Sequence, residues 1–345
     1  MKISVILPVK DPQITLLEKA LKSVYDQTYT DYEILLVNDG SDEAHSKELR
    51  SIAEKNPSIH LLEIEPSGVS AARNYAAVQA KGDVLTYLDS DDFLSPVCFE
   101  EAVKVLENTD IDAVWGGTVY GTQEELNERK MSAKKQAFCM GELQSRLILL
   151  DEGKKHLSKA ECIGEPYRFE DGTYINRGIA GRFIRKEKMA GIEFPVGIKF
   201  YEDAIWNLIM LDRLKIAYLD SEWYYYMENE KSVSNSYNPE IVSDLEIPLA
   251  IIRECIDMDN AEEYTGYTRI LMDSFRYISK CLYCNPKWNP SSKEKKKLKA
   301  HIYQDFPWKE IGTEKYKAHA QERDCKKAIF YKKRLLLLIW KYRWK

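Results

Sequence analysis

Over the first 120 residues, short apolar runs alternate with amphipathic stretches. The runs "ISVILPV" (3–9), "YEILLVND" (32–39), "IHLLEIE" (59–65) and "DVLTYLD" (83–89) are rich in Ile, Leu and Val, as strands buried on both faces of a parallel sheet are. Between the first two, Asp11 reads as an N-cap and Pro12 as the first helical position, with Leu17, Leu21 and Val24 on one side. Further helices are predicted to begin near Asp42, near Gly68 and at Ser95-Pro96, where Ser95 can supply the cap. This β-α-β-α rhythm predicts a doubly wound α/β domain, whose ligands bind beyond the carboxyl ends of the strands. Asp39 and Asp89 both fall at such ends.

After "DAVWGGTVY" (112–120) comes a polar stretch, 121–137, that reads as a loop or a solvated helix, and apolar patterning resumes over 142–150. The segments 178–189, 201–214 and 215–227 then read as strand, helix and strand. From Pro239 onward the pattern is mostly helical, with a lysine cluster at 293–299 and no internal repeat. The expected division is therefore an α/β domain over 1–236, a helical region over 237–325 and a basic tail over 326–345.

Composition adds exclusions more than assignments. Hydrophobic residues at 44% and charged residues at 30% fit a globular chain rather than disorder or a fibre. The net charge of −5 exerts no general pull on nucleic acid. It conceals a tail, "KKAIFYKKRLLLLIWKYRWK", with eight cations and no acid, which leaves the other residues near −13. That tail is too short to span a bilayer. It suits an amphipathic helix on an anionic membrane surface, or a terminal helix docked by its Leu face. The seven cysteines are odd in number and scattered, which fits reduced thiols in a cytoplasmic protein. Cys281-x-x-Cys284 lacks the second Cys/His pair of a structural zinc site, and two plain thiols are the alternative. Pro8 and Lys10 interrupt the opening apolar run before a signal-peptide core is complete.

The stretch "VLTYLDSDDFL" (84–94) crowds Asp89, Asp91 and Asp92 behind an apolar run. Like charges this close raise one another's pKa and destabilise the fold unless a cation compensates them. A calcium loop fails, because Leu94 stands where its glycine is required and Phe93 where it needs an oxygen ligand. What remains is a strand-end Asp-x-Asp that shares Mg²⁺ or Mn²⁺ with a ligand diphosphate, since such hard cations take carboxylate and phosphate oxygens.

The order "SVILPVKD" (4–11), "EILLVNDGSDE" (33–43), "GVSAARN" (68–74), "YLDSDDF" (87–93) and "YED" (201–203) resembles the family 2 glycosyltransferases. The likeness is close over 1 to about 120 and looser to about 236. It implies a GT-A fold, a Rossmann-like and mostly parallel sheet flanked by helices, here with a mainly helical C-terminal extension. It also implies inverting transfer from a nucleotide sugar, favours UDP as the carrier, and divides the first domain into a nucleotide-binding half (1–120) and an acceptor half (121–236). By the same resemblance Pro8 lines the nucleoside pocket, Asp39 accepts a hydrogen bond from uracil, and Arg73 sits beside the base or the diphosphate. Asp89 approaches the ribose, Asp91 binds Mn²⁺ or Mg²⁺, and Asp203 is the catalytic base with Glu202 beside it. Lys231, with Ser232 and Ser234, stands where the family often places Arg or His near the phosphates.

The residue types suit these tasks, because an ionised carboxylate accepts a ring N–H and arginine offers planar donors. Bland readings stand beside them: Asp39-Gly40-Ser41 as a turn with a helix cap, Arg73 as a surface helix residue, and Asp203 as charge compensation at a helix N-terminus. Lys10-Asp11 replaces the Tyr-Asn of many members, removing the usual aromatic stack on the base, and the absence of Gln-x-x-Arg-Trp argues against a processive synthase. The expected partners are a nucleotide-sugar donor, a glycan or lipid-linked glycan acceptor in capsule or exopolysaccharide assembly, and an anionic membrane surface met by 326–345. Nucleic acid is not expected. The rival function is a non-catalytic nucleotide-sugar-binding or scaffold subunit, which would need no base.

Overall fold

The computed structural model describes residues 1–122, 124–126, 139–149, 159, 163, 167–168, 174–175, 178–227, 237–283 and 285–337. Four strands, β1 (Ile3–Val9), β2 (Tyr32–Asp39), β3 (Ile59–Ile64) and β4 (Val84–Tyr87), pair in parallel in the order β3-β2-β1-β4. They are the four predicted apolar runs. They are joined by α1 (Ile14–Tyr25), α2 (Glu43–Glu54) and α3 (Val69–Gln79), as parallel pairing requires.

Then follow β5 (Phe93–Leu94), α4 (Cys98–Asn108), β6 (Ala113–Gly121), α5 (Met140–Arg146), β7 (Leu147–Leu149), β8 (Tyr167–Arg168), β9 (Tyr174–Ile175) and β10 (Arg182–Arg185). Helix α6 (Glu202–Arg213) leads into the long β11 (Ile216–Met227). Among the described residues the sheet runs β3-β2-β1-β4-β10-β6-β11-β5. β10 is antiparallel to β4 and β6, β11 is parallel to β6, and β5 returns antiparallel on β11. That last pairing brings the acidic loop after β4 to the end of β11.

Apolar side chains fill both faces of the sheet. Leu17, Leu21 and Val24 of α1 join Val5, Leu7 and Ile34 in one cluster with Phe99, Phe183 and Trp223. Phe183 meets Phe99 and Trp223 edge-on, with centroids 5.8 and 5.1 Å apart. The fully buried Glu101 is satisfied on β11, its Oε2 accepting from Ser221 Oγ and Trp223 Nε1 at 2.8 Å each.

Two predicted caps are corrected. α1 begins at Ile14 behind Gln13, and Asp11 instead adopts a left-handed φ of 45°. Its N–H donates to Ser41 Oγ (2.9 Å) and its Oδ1 accepts from the Asp42 N–H (2.8 Å), tying the end of β1 to the end of β2. Ser95 does not cap α4, which begins at Cys98 without a side-chain cap. The Ser95 N–H is taken by the Trp223 carbonyl (2.9 Å) and its carbonyl by Gln27 Nε2 (2.6 Å), so sheet pairing overrides the cap. The predicted starts at Asp42 and Gly68 match α2 and α3, with Asp42 Oδ1 accepting from the His45 N–H at 2.9 Å.

The chain divides into two compact units, the first of Met1–His156, Tyr167–Gly197 and Ile209–Glu228 and the second of Leu157–Pro166, Ile198–Leu208 and Asn229–Lys345. The second contains α7 (Ile241–Cys255), α8 (Ala261–Ile278), α9 (Ser292–Gln304), α10 (Glu314–His319) and α11 (Glu322–Leu337). Its core includes Leu245, Leu249, Ile270, Leu271 and Phe275, with Trp308 edge-on to Phe275 at 5.2 Å. α11 runs through the start of the basic tail. Ala328 is fully buried, and Lys332 Nζ donates to the carbonyls of Trp308 and Ile311 at 2.8 Å each, so this part is docked. Lys326, Phe330 and Lys333 are exposed. No helix of the described residues is long and apolar enough to cross a membrane. Cys281 is buried, and Cys284, like most of 121–137, lies outside the described residues.

Gly116 of β6 lies against Trp223, and a Cβ there would sit 2.2 Å from the indole ring. Gly116→Ala should destabilise the protein by about 1–3 kcal/mol through overpacking. Urea unfolding measures this, and an unchanged midpoint would show that Trp223 can move aside.

Candidate active site

The candidate site residues of the first unit lie at or just beyond the carboxyl ends of β1, β2 and β4, with Arg73 on α3. Pro8 is buried within β1, opposite Val37 of β2. Asp39 ends β2 and is only 4% exposed. Its Oδ1 accepts from the N–H of Ser67 (2.7 Å), and both its oxygens accept from the N–H of Gly68 (3.2 and 2.9 Å). Gly68 is the N-cap of α3, so Asp39 fixes the entry to that helix and complements its positive end. The turn reading of Asp39-Gly40-Ser41 holds in part. Gly40 has φ 66° and presses on Pro66, where a Cβ would come within 2.3 Å, but Asp42 rather than Asp39 caps α2.

One turn into α3, Arg73 is buried rather than on the surface. Its Nη2 donates to Asp89 Oδ1 at 2.9 Å, and its Cζ lies 5.1 Å from the centre of the Phe194 ring. Asn74 holds that partner in place, donating from Nδ2 to the Phe194 carbonyl and accepting at Oδ1 from the Phe194 N–H, both at 2.8 Å. The three aspartates after β4 thus have distinct environments. Asp89 is a third exposed and paired with Arg73. Asp92 is turned inward, accepting from Tyr224 Oη and from the Met227 N–H, each at 2.8 Å. Asp91 stays half-buried between them.

Tyr224 carries the junction, since its hydroxyl donates to Asp92 Oδ2 and accepts from the Asp89 N–H at 3.2 Å. Burial, followed by the charges of Asp89 and Asp91, pushes the Asp92 carboxyl well above the usual range, despite the bonds from Met227 and Tyr224. Tyr224 and Asn74 were not among the expected residues. Asn74 closes the motif "GVSAARN", but the partners that give Tyr224 and Asn74 their roles lie 135 and 120 positions away.

Glu202 and Asp203 open α6 in the second unit, where Asp203 Oδ1 accepts from the Ala204 N–H at 2.7 Å. The preceding Tyr201 has φ 62°, a costly conformation for a bulky residue. It is held there by its hydroxyl on Ser274 Oγ (3.0 Å) and by ring contact with Tyr277 (6.1 Å). Lys231 lies outside the described residues. Among the described residues, the grouping of three ligand-type side chains is Asp11, Asp42 and His45, whose ligand atoms all lie within 4.8 Å of one another. It is exposed and engaged in the α2 cap, with His45 Nδ1 2.8 Å from Asp42 Oδ1.

The motifs predicted the strand-end Asp-x-Asp, and the structure adds the ion pair from Arg73 on α3 to Asp89. The sequence profile of glycosyl transferase family 2 matches residues 4–176, half of the chain. The chain belongs to that family. It is 25% identical over 245 residues to the uncharacterized glycosyltransferase EpsJ of Bacillus subtilis, covering 69% of this transferase and 64% of EpsJ. It is 26% identical over 255 residues to the minor teichoic acid biosynthesis protein GgaB of the same organism, covering 70% of this chain and 25% of GgaB. It thus spans less than two thirds of either relative. The fold is that of Staphylococcus aureus TarS 1-349, with a TM-score of 0.59 at 15% identity, covering 98% of this chain and 90% of that one. TarS 1-349 has also been solved with UDP and with UDP-GlcNAc. The chain thus has a GT-A-like α/β domain and a helical C-terminal region.

The Asp92 shift makes a pH prediction. Because the folded protein holds this proton more tightly than the unfolded chain, its stabilising contribution is complete below the ordinary value of 3.8 and is lost as pH rises through the raised folded value. Asp92→Asn should flatten that fall at pH values above 3.8. Urea unfolding across pH reads it, and parallel wild-type and mutant curves would mean that Asp92 is ionised in the fold.

Proposed function

We propose that this enzyme is a metal-dependent, inverting transferase that moves a sugar from a UDP-sugar to an acceptor hydroxyl in cell-surface polysaccharide assembly, such as a capsule, exopolysaccharide or teichoic acid. The observation that carries the reading is the division of labour among the acids after β4: Arg73 engages Asp89, Tyr224 and Met227 engage Asp92, and Asp91 lies half-buried beside them. The partly exposed carboxylates of Asp89 and Asp91 are a hard oxygen donor set, so they fit Mn²⁺ or Mg²⁺. Bound there, chiefly by Asp91, the ion would supply positive charge for the departing diphosphate.

The remaining steps belong to the chain's own residues. Pro8 lines the nucleoside pocket, and Asp39, which keeps acceptor capacity beyond its two backbone donors, takes the uracil N–H. Arg73 orients Asp89 toward the ribose, and Lys231 is the cation assigned to the phosphates. Asp203, with Glu202 beside it, takes the proton of the acceptor hydroxyl as that oxygen attacks the anomeric carbon. Attack opposite the leaving group in a single displacement inverts the configuration. The nucleotide-binding half is residues 1–120 and the acceptor half 121–236, ahead of the helical region 237–325 and the tail 326–345. The UDP complexes of TarS and the name of GgaB support the donor and the pathway.

Calorimetric titration of UDP with and without Mn²⁺, paired with a transfer assay, tests the assignment. Asp91→Asn should abolish the Mn²⁺-dependent part of UDP binding. Asp203→Asn should bind UDP normally but turn over roughly 10²- to 10⁴-fold more slowly. Metal-independent UDP binding in the wild type would remove the cation from the mechanism, and near-normal transfer by Asp203→Asn would remove the base.

The enzyme works in the cytoplasm at the inner face of the membrane, where the exposed Lys326, Phe330 and Lys333 meet anionic headgroups. Lys326→Glu with Lys333→Glu should reduce co-sedimentation with phosphatidylglycerol vesicles at least about tenfold, at about 1 kcal/mol per cation plus the reversed charges, without lowering the melting temperature. Unchanged sedimentation would leave α11 purely structural.

A further inference from the structure

We infer that the helical unit carries a saccharide-binding pocket of its own, centred on Trp288 and Tyr237. The inference rests on the transferase reading only in that it makes a glycan the natural occupant. A cavity of about 630 Å³ opens there, within the size range of small-ligand sites. Leu282 and Val242, both almost fully buried, contribute its apolar part. Tyr237 and Trp288, both half-buried, add aromatic surface of the kind that packs against the C–H face of a sugar ring.

The polar lining has both signs. Lys287 and Lys297 offer donors, and Glu240 offers acceptors. One side is rigid: His301 Nε2 and Trp308 Nε1 both lie 2.5 Å from Glu246 Oε1, and His301 Nδ1 lies 2.7 Å from Asp305 Oδ2. Burial draws the His301 pKa down, but the bonds and charges of Glu246 and Asp305 outweigh it and hold the ring toward its protonated form.

This lining discriminates among ligand classes. A phosphate or nucleic-acid site would be lined by cations without facing carboxylates, and a lipid-tail site would not surround its opening with charged groups. Hydroxyl groups both donate and accept, so a polyhydroxylated ring over an aromatic face satisfies ammonium and carboxylate partners together. A growing glycan presents several such rings, and a cavity of this size holds about two or three of them. The pocket would thus retain the chain being extended through a segment other than the reacting hydroxyl.

Saturation-transfer NMR of the full-length protein with maltotriose, cellotriose and chitotriose tests this, with glycerol 3-phosphate as a charged, ring-free control. At least one trisaccharide should show transfer that saturating UDP leaves unchanged. Trp288→Ala should weaken it at least about fivefold and Trp288→Phe by less. The exposed pair Glu240→Ala with Lys297→Ala, which has no part in packing, should weaken it at least about fivefold as well. Transfer to none of the three sugars, competition by UDP, insensitivity to both sets of variants, or equal binding of glycerol 3-phosphate would each overturn the inference. UDP-sugar hydrolysis without acceptor should be unchanged in all variants. Absence of that hydrolysis in the wild type would instead count against the transferase reading while leaving the pocket result standing.

Discussion

The ion pair between the buried Arg73 and Asp89 is the contact around which the first unit is arranged. Asp39 ends β2 and Asp89, Asp91 and Asp92 follow β4, and carboxylates in such partly buried places persist only if their charges are compensated. The solutions differ in kind. Asp39 is met by backbone amides at the head of α3, Asp89 by a guanidinium one turn into the same helix, and Asp92 by a tyrosine and an amide, with burial pushing its pKa up. Placing the arginine requires α3 to start where Asp39 anchors it. Gly68 at φ 87° and the small Ala71 and Ala72 ahead of Arg73 then make sense as one device.

The strands and their order of appearance were legible because strands buried on both faces read as apolar runs; Asp39 and Asp89 stood out as carboxylates at the ends of those runs, and Arg73 only through the motif "GVSAARN". Lys10-Asp11 shows the limit. Local rules make Asp11 a helix cap, but Ser41 and Asp42 of a neighbouring turn compete for its backbone and its carboxylate, and they prevail. Ser95 fails as a cap for the same reason, since β5 must pair with β11. In both places a contact distant in sequence displaced a short-range preference worth about 1 kcal/mol.

The roles of Tyr224 and Asn74 were invisible for a related reason. A tyrosine within an apolar strand reads as core, and most of Tyr224 is core, yet its hydroxyl organises two aspartates of the acidic loop. That role exists only because β11 runs parallel to β6 and takes β5 on its other side. Topology decides which of several adjacent tyrosines becomes part of the site.

Tyr201 shows how the second unit prepares its own carboxylates. A left-handed aromatic residue is unfavourable, so the surroundings must hold it, and Ser274 and Tyr277 do so from α8. The turn it makes delivers Glu202 and Asp203 to the first turn of α6, beside the positive end of the helix dipole. In the acidic loop of the first unit, burial and then the neighbouring charges drive Asp92 toward its neutral form. One chain thus places its carboxylates in contrasting surroundings by local means: a helix end for Asp203, and crowding with exclusion of water for Asp92.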